Sequence, residues 1–300
     1  MTIIGILGFG EAGSAFAREL TSAGARVSVF DKKWDDAGFQ PRVDDGPDLE
    51  NVRFGSLSDL LASSDIILST VTTNAAFAVA TECVSMLCPG QYYCDLNSTA
   101  PSVKMKLDRM ISLTGAVFVE GAILGAIGVT GGRTRILLGG SHARNASELL
   151  NGFGLQTAPY STEIGKASAF KMLRSIFSKG LEALLIEFLA AASTAGLEDD
   201  LWQEVTALFS ANSFEDVARN WVCSHALAHE RRYHEMVQVA DLLKEMNQDA
   251  LMTNATLAFF ERSTKLKLSQ EFPSKPDRMD DVVDGLLHRM SEQSRSSGKR

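Results

Sequence analysis

Several absences narrow the possibilities for this 300-residue chain. It has only four cysteines, Cys83, Cys88, Cys94 and Cys223, and no C-x-x-C pair among them. That argues against a disulfide scaffold, and the cysteines read as buried thiols in a reducing compartment. No apolar run approaches the roughly 20 residues of a membrane span. The opening Met1-Thr2-Ile3-Ile4-Gly5 carries neither the basic segment nor the long apolar stretch of a secretory signal. The cytoplasm is therefore the expected location, with no membrane partner. A basic surplus is missing too. Lys and Arg number 29 against 37 Asp and Glu, a net charge of −8, which argues against nucleic acid as a partner. An anionic ligand must then be held by local features rather than by the overall field. No internal repeat is visible.

What is present is an ordinary globular composition, with 45% hydrophobic and 22% charged residues. At roughly 150 residues per domain the length suggests about two domains. The first half alternates strand and helix patterns: strands at Thr2 to Leu7, Arg26 to Phe30, Asp65 to Val71, Gln91 to Leu96, Ala116 to Glu120 and Thr134 to Leu138. Helical stretches run from Glu11 to Ala23, Asn74 to Met86 and after Pro101, and a polar stretch from Asp31 to Pro47 has no regular pattern. This alternation predicts a doubly wound parallel sheet with helices on both faces. From about residue 163 the pattern is helical throughout. Glu163 to Ala195 reads as one helix that is apolar almost all round, so it is expected to be buried centrally or in a dimer interface. Further helices are expected at Leu201 to Phe209, Phe214 to Cys223, Glu230 to Lys244, Gln248 to Leu266 and Asp280 to Met290. The predicted organisation is a dinucleotide-binding domain over residues 1–162 and an all-α substrate and dimerisation domain over 163–290. The Ser-, Arg- and Lys-rich tail at 291–300 is expected to be disordered.

Gly8-Phe9-Gly10-Glu11-Ala12-Gly13 is a G-x-G-x-x-G with the context that gives the pattern meaning: a strand before it, a helix after it, and Asp31 ending the next strand. Gly8 allows the tight turn, Gly10 lets backbone approach a pyrophosphate, and Gly13 lets the helix pack close to its strand. The pyrophosphate would sit at the positive end of the helix, on unpaired N–H groups. The sheet is therefore expected to be of Rossmann type and the cofactor to be NAD or NADP. Asp31 favours NAD, because it accepts from a ribose diol and repels a 2′-phosphate. Lys32 and Lys33 beside it keep NADP open. Val71, Thr72 and Asn97 complete the expected cofactor contacts.

Three further segments, with this fingerprint, resemble the β-hydroxyacid dehydrogenase family, which includes 3-hydroxyisobutyrate and 6-phosphogluconate dehydrogenases. More narrowly, the chain is similar to a phosphogluconate dehydrogenase-like branch with an atypical C-terminal domain. The resemblance covers about residues 3–195. Asp95-Leu96-Asn97-Ser98-Thr99-Ala100-Pro101 is similar to the family's D-x-S-T-x-x-P loop, with Asn97 in the Ser place and Ser98 in the Thr place. Glu120-Gly121-Ala122-Ile123-Leu124-Gly125-Ala126 resembles the D-A-P-V-S-G-G substrate loop. Leu124 stands where a Ser helps hold a carboxylate, leaving the backbone N–H groups of Gly125 and Ala126 for an anion. Gly165 to Ser175 resembles the catalytic G-x-x-x-K-x-x-N-N, with two additional residues between Gly and Lys. Lys171 is the catalytic lysine the resemblance implies, and Ser175, one turn on, takes the Asn place. Burial lowers the pKa of such a lysine toward a base's working range, whereas the plain alternative is a snorkelling side chain.

The resemblance implies a dehydrogenase that interconverts a small hydroxy acid, or a related alcohol, and its keto form. Lys171 is then the general acid/base, Asn97, Ser98 and Ser175 orient the hydroxyl, and Arg174 is a candidate for a substrate carboxylate. A homodimer through the helical domain is expected. Phosphogluconate dehydrogenases carry a Glu seven residues after the lysine, where this chain has Ser178, which speaks against that activity. Imine reductases share the architecture but typically lack the lysine. They are one alternative, and a cofactor-binding sensor without turnover is the other. His225 and His229, at i and i+4, have zinc-compatible spacing without a third ligand, so no metal is expected. Arg231, Arg232 and His234 are candidate basic contacts to a site across a dimer.

Overall fold

The computed structural model describes residues 2–33 and 51–297. Of the polar stretch from Asp31 to Pro47, residues 34–47 lie outside the described residues.

The sheet has eight strands in the order β3-β2-β1-β4-β5-β6-β7-β8. These are β1 (Ile3–Leu7), β2 (Arg26–Phe30), β3 (Val52–Phe54), β4 (Ile66–Ser69), β5 (Tyr92–Asp95), β6 (Val117–Ile123), β7 (Ile136–Gly139) and β8 (Thr157–Ser161). All pairs are parallel except β6 with β7. The chain leaves β1 for β2 on one side and returns to β4 on the other, so the strand order reverses between β1 and β4, where doubly wound sheets bind ligands. Short runs such as Ile66-Ile67-Leu68 carry apolar residues at consecutive positions because helices cover both faces. Ile4, Ile6, Phe16 and Leu20 pack on one face; Leu7, Leu60, Ile67 and Leu107 pack on the other.

The covering helices include α1 (Glu11–Ser22), α2 (Leu57–Ser63), α3 (Ala76–Cys83), α4 (Pro101–Ser112), a single turn α5 (Ile127–Thr130) and α6 (Ala143–Asn151). Pro101 opens α4 where its missing N–H costs nothing. β3, β8, α2 and α6 have no counterpart in the sequence reading; β3, β8 and α2 span only three to seven residues each.

The register places polar residues in a row across the middle of the sheet. Ser69 pairs with Asp95, and Asp95 with Glu120. All three are buried.

The described residues divide into two compact units, one ending at Ile176 and one beginning at Phe177. The division falls inside the 30-residue helix α7 (Lys166–Ala195). The apolar pattern leads one to expect this helix buried centrally or in a dimer interface, and in the single chain Leu173, Ile176, Phe177 and Ile186 on it are more than half exposed. The second unit also holds α8 (Glu198–Ala211), α9 (Phe214–Glu245), α10 (Leu251–Lys265) and α11 (Met279–Ser297). Two expected helices, Phe214 to Cys223 and Glu230 to Lys244, are one helix, since Ser224 to His229 contains no Gly or Pro to break it. α11 runs on to Ser297 through most of the tail expected to be disordered, since residues 291–297 contain no Gly or Pro. Cys88 is exposed, unlike the other three cysteines, as it lies on the turn before β5.

Candidate active site

The first half of the site is the turn after β1. Gly8 has φ +94°, and a Cβ there would fall 3.0 Å from Thr70 O. A Cβ on Gly13 would fall 2.1 Å from Gly8 O, so α1 approaches its strand only because position 13 has no side chain. Thr70 Oγ1 donates to Gly8 O at 2.7 Å and holds the turn. Gly10, the N-cap of α1, makes no side-chain cap, and a Cβ there would meet open space. The first-turn N–H groups of α1, at Glu11, Ala12 and Gly13, therefore have no side-chain partner at the cap. Asp31 sits beside the turn: its Oδ2 accepts from Phe9 N at 2.7 Å and its Oδ1 from Lys33 N at 2.9 Å. Gly8, Phe9, Gly10, Asp31, Lys32, Lys33, Val71 and Thr72 line one cleft of about 230 Å³. An open glycine, an uncapped helix start and an adjacent carboxylate fit a dinucleotide.

The second half is the loop after β5. Lys104, on α4, is fully buried and reaches under this loop. Its Nζ donates to Asp95 O at 2.7 Å, to Asp95 Oδ2 at 2.8 Å and to Asn97 O at 2.8 Å. Asp95, paired with this cation, has only acceptor oxygens. It therefore takes the Asn97 amide by its N–H₂, which also donates to Ser69 Oγ at 3.0 Å. Asn97 Oδ1 is left buried and without a hydrogen-bond partner among the described residues. Lys104 escaped the sequence reading. The signal was there: positions 104, 107 and 111 form one buried stripe of α4, and a lysine on such a stripe needs a partner.

The start of α7 supplies the third part. Glu120 is fully buried; its Oε1 accepts from Gly165 N at 2.8 Å and Ala167 N at 3.0 Å, and its Oε2 from Ser168 Oγ at 2.9 Å. Gly139, paired with Glu120 across β6 and β7, leaves room for it, since a Cβ there would fall 2.5 Å from Oε1. A carboxylate at a helix N-terminus satisfies orphan donors and complements the dipole.

Lys171 is half-buried, and its Nζ donates to Ser98 Oγ at 2.5 Å across 73 residues of chain. Burial, and after it the positive charge of Lys104, hold its pKa below the ordinary lysine range. Ser175 Oγ donates to Lys171 O at 3.0 Å. Asn97, Ser98, Thr99, Ser168, Lys171 and Ser175 line a cleft of about 190 Å³. The structure thus brings together Asn97, Ser98, Lys171 and Ser175. Arg174, Gly125 and Ala126 are exposed and do not line this cleft, and Leu124 packs with Ala122, Leu137 and Ala167.

The second unit carries the histidine pair. His225 Nε2 and Ser263 Oγ lie 2.9 Å apart, and burial, then His229 and Arg232, push the His225 pKa down to about 4. His229 is buried with no partner on either ring nitrogen among the described residues. Glu271, His288 and Glu292 cluster at the surface, where Arg289 already pairs with both glutamates. Arg232 NH2 donates to Ser224 Oγ at 2.7 Å, Arg231 pairs with Glu235, and the Tyr233 and His234 rings touch edge-on.

Residues 3–158 match the model of the NAD binding domain of 6-phosphogluconate dehydrogenase. The chain belongs to this family. Residues 192–263 match a domain of unknown function, DUF1932. An uncharacterized 28.5 kDa protein of Methanothermus fervidus is 30% identical over 206 residues, 67% of this chain and 77% of the relative. The solved structure of the conserved protein MTH1747, described as structurally similar to 3-hydroxyacid dehydrogenases, is 30% identical with a TM-score of 0.56. It covers 89% of this chain and 98% of its own. An imine reductase variant from Myxococcus stipitatus, solved with NAD⁺, shares the fold at 17% identity, a TM-score of 0.71, and coverage of 95% and 99%. The protein therefore has an NAD-binding, hydroxyacid dehydrogenase-like fold. None of the helices searched is long and apolar enough to cross a membrane.

Proposed function

We propose that this protein is an NAD(P)-dependent oxidoreductase that interconverts a small hydroxy acid, or a related alcohol, and its keto form. The contact of Lys171 Nζ with Ser98 Oγ, in a cleft floored by the Asp95–Asn97 loop, is the observation that carries this reading. The bound cofactor would take up or give a hydride at the substrate carbon. Gly8 to Gly13, Asp31, Val71, Thr72 and Asn97 would hold it. Asp31 favours NAD, and Lys32 and Lys33 are the contacts through which NADP would bind.

In the oxidative direction neutral Lys171 takes the hydroxyl proton on Nζ, and in the reductive direction the ammonium returns it. Ser98, already bonded to Lys171, orients the reacting oxygen toward Nζ. Asn97 Oδ1, buried and unpartnered, accepts an N–H or O–H from the bound ligands. Ser175 spends its proton on the Lys171 carbonyl and so faces the cleft as an acceptor. Arg174 and the N–H groups of Gly125 and Ala126 are the proposed contacts for a substrate carboxylate, from outside this lining. The exposed apolar side chains of α7 support a homodimer, and the helical unit is its proposed substrate and dimerisation domain.

The test is a panel of hydroxy acids, alcohols and imines with NAD(H) and NADP(H), wild type beside Lys171→Ala. Turnover of a hydroxy acid or alcohol that the variant loses, with cofactor affinity kept, is the expected result. Equal rates in both proteins overturn Lys171 as the proton carrier. Turnover of imines alone assigns imine reduction instead. Tight cofactor binding with no turnover across the panel assigns a sensor.

A further inference from the structure

Lys104 is 0% exposed and lines neither cleft. A buried cation is costly unless paired, and Asp95 pairs it. Pairing alone does not explain where its hydrogen bonds go. Its three closest acceptors, Asp95 O, Asp95 Oδ2 and Asn97 O, all lie on the segment that ends at Ser98, the partner of Lys171. One ammonium thus sits beneath the loop and a second sits on it.

We infer that Lys104 is a positioning residue for Lys171: it holds Ser98 within reach of the Lys171 ammonium, and its buried charge opposes a second positive charge there. The inference rests on reading Lys171 as the proton carrier. An anchor alone could be neutral. A charged anchor also raises the fraction of Lys171 that is neutral, the form that accepts a proton. The direction agrees with the lowered pKa of Lys171, for which burial is the first cause and Lys104 the second. The other charged groups near the cleft are engaged elsewhere. Asp95, at the end of β5, is paired with Lys104, and Glu120, on β6, caps α7. Arg174, on α7 itself, is exposed.

The experiment reads Lys171 directly and needs no substrate. The full-length protein is labelled with trace acetic anhydride across about pH 6 to 11. The extent of acetylation is read by mass spectrometry on the Lys171 peptide, with exposed Lys179 as internal reference. Wild type is compared with Lys104→Met and with Asp95→Asn/Lys104→Met. The double variant removes both charges together, so it carries the test if the single one does not fold. Circular dichroism checks folding. In wild type the Lys171 midpoint is expected below that of Lys179. In folded Lys104→Met it should rise toward Lys179 by about half a unit or more, roughly a threefold loss of neutral amine near neutral pH, and in the double variant, which also removes the opposing Asp95 charge, the rise should be smaller and of the same sign. A midpoint unchanged in a folded variant, or equal to that of Lys179 in wild type, overturns the proposal. The role of Lys171 in catalysis stands or falls separately, on the turnover of Lys171→Ala.

Discussion

Glu120 Oε1 accepts the backbone N–H of Ala167 at 3.0 Å, so the helix that carries Lys171 begins on a buried carboxylate of the sheet. The same oxygen takes Gly165 N, and the other takes Ser168 Oγ. Glu120→Ala leaves two buried N–H groups without a partner, and a loss of about 3 kcal/mol or more is expected in urea denaturation. Glu120→Gln keeps an acceptor and loses only the charge at the helix start, for about 1 kcal/mol. Equal losses would show that the hydrogen bonds at this cap carry little.

As the proposed proton carrier, Lys171 should set a pH dependence whose sign follows from that role. Oxidation needs the neutral amine, so its rate should rise with pH to a plateau, with a midpoint below the ordinary lysine value of about 10.4. Reduction needs the ammonium and should fall through the same midpoint. Lys171→Ala should lose on the order of 10²-fold or more in turnover while cofactor affinity changes little. Profiles that rise or fall together in both directions would contradict this assignment.

The two glycines of the α1 turn should separate by readout. Gly10 has extended backbone and open space around a would-be Cβ. Gly10→Val should keep stability within about 1 kcal/mol, because N-cap changes of this kind are small. Its side chain projects into the cleft, so calorimetry with NADH should show a loss on the order of tenfold or more. Gly13→Ala drives a methyl into Gly8 O and should cost about 1–3 kcal/mol of stability. A folded, cofactor-tight Gly10→Val would show that the dinucleotide does not pass over this turn.

The helical unit should weaken in mild acid. His225 has a folded-state pKa of about 4, below its ordinary 6.5, so the unfolded chain binds a proton that the folded chain refuses between those values. Stability is full above about pH 6.5 and falls as pH drops toward 4, by roughly 1–2 kcal/mol from this residue because solvent screens part of the effect. Denaturation at the two ends of that window measures it. His225→Phe should flatten the dependence, and a variant as acid-sensitive as wild type would assign the effect to another group.

Much of the sheet was legible because its signals are local. Ile66-Ile67-Leu68 suits a strand covered on both faces, and Gly8, Gly10 and Gly13 read as a cofactor turn through the strand before them, the helix after them and Asp31. Lys171 was legible through its resemblance to a known motif, and Asn97, Ser98 and Ser175 followed from it. Short elements such as β3 and β8 were not, since three to five residues carry too little periodicity. Arg174, Gly125 and Ala126 were read from motif position, and position in a motif says nothing about which residues line a cleft.

What the chain's order of residues indicated by itself was therefore the fold class, through its alternating strand and helix patterns, and the dinucleotide turn, while Lys171 came from the resemblance of its segment to a known motif and its role is a proposal. Only the tertiary structure decided which acids and bases work together. Register sets Ser69, Asp95 and Glu120 in one row, and helix packing brings Lys104 beneath the loop that Lys171 touches. Those pairings join residues far apart in the chain, and only the packing that excludes water makes a buried charge seek one particular partner.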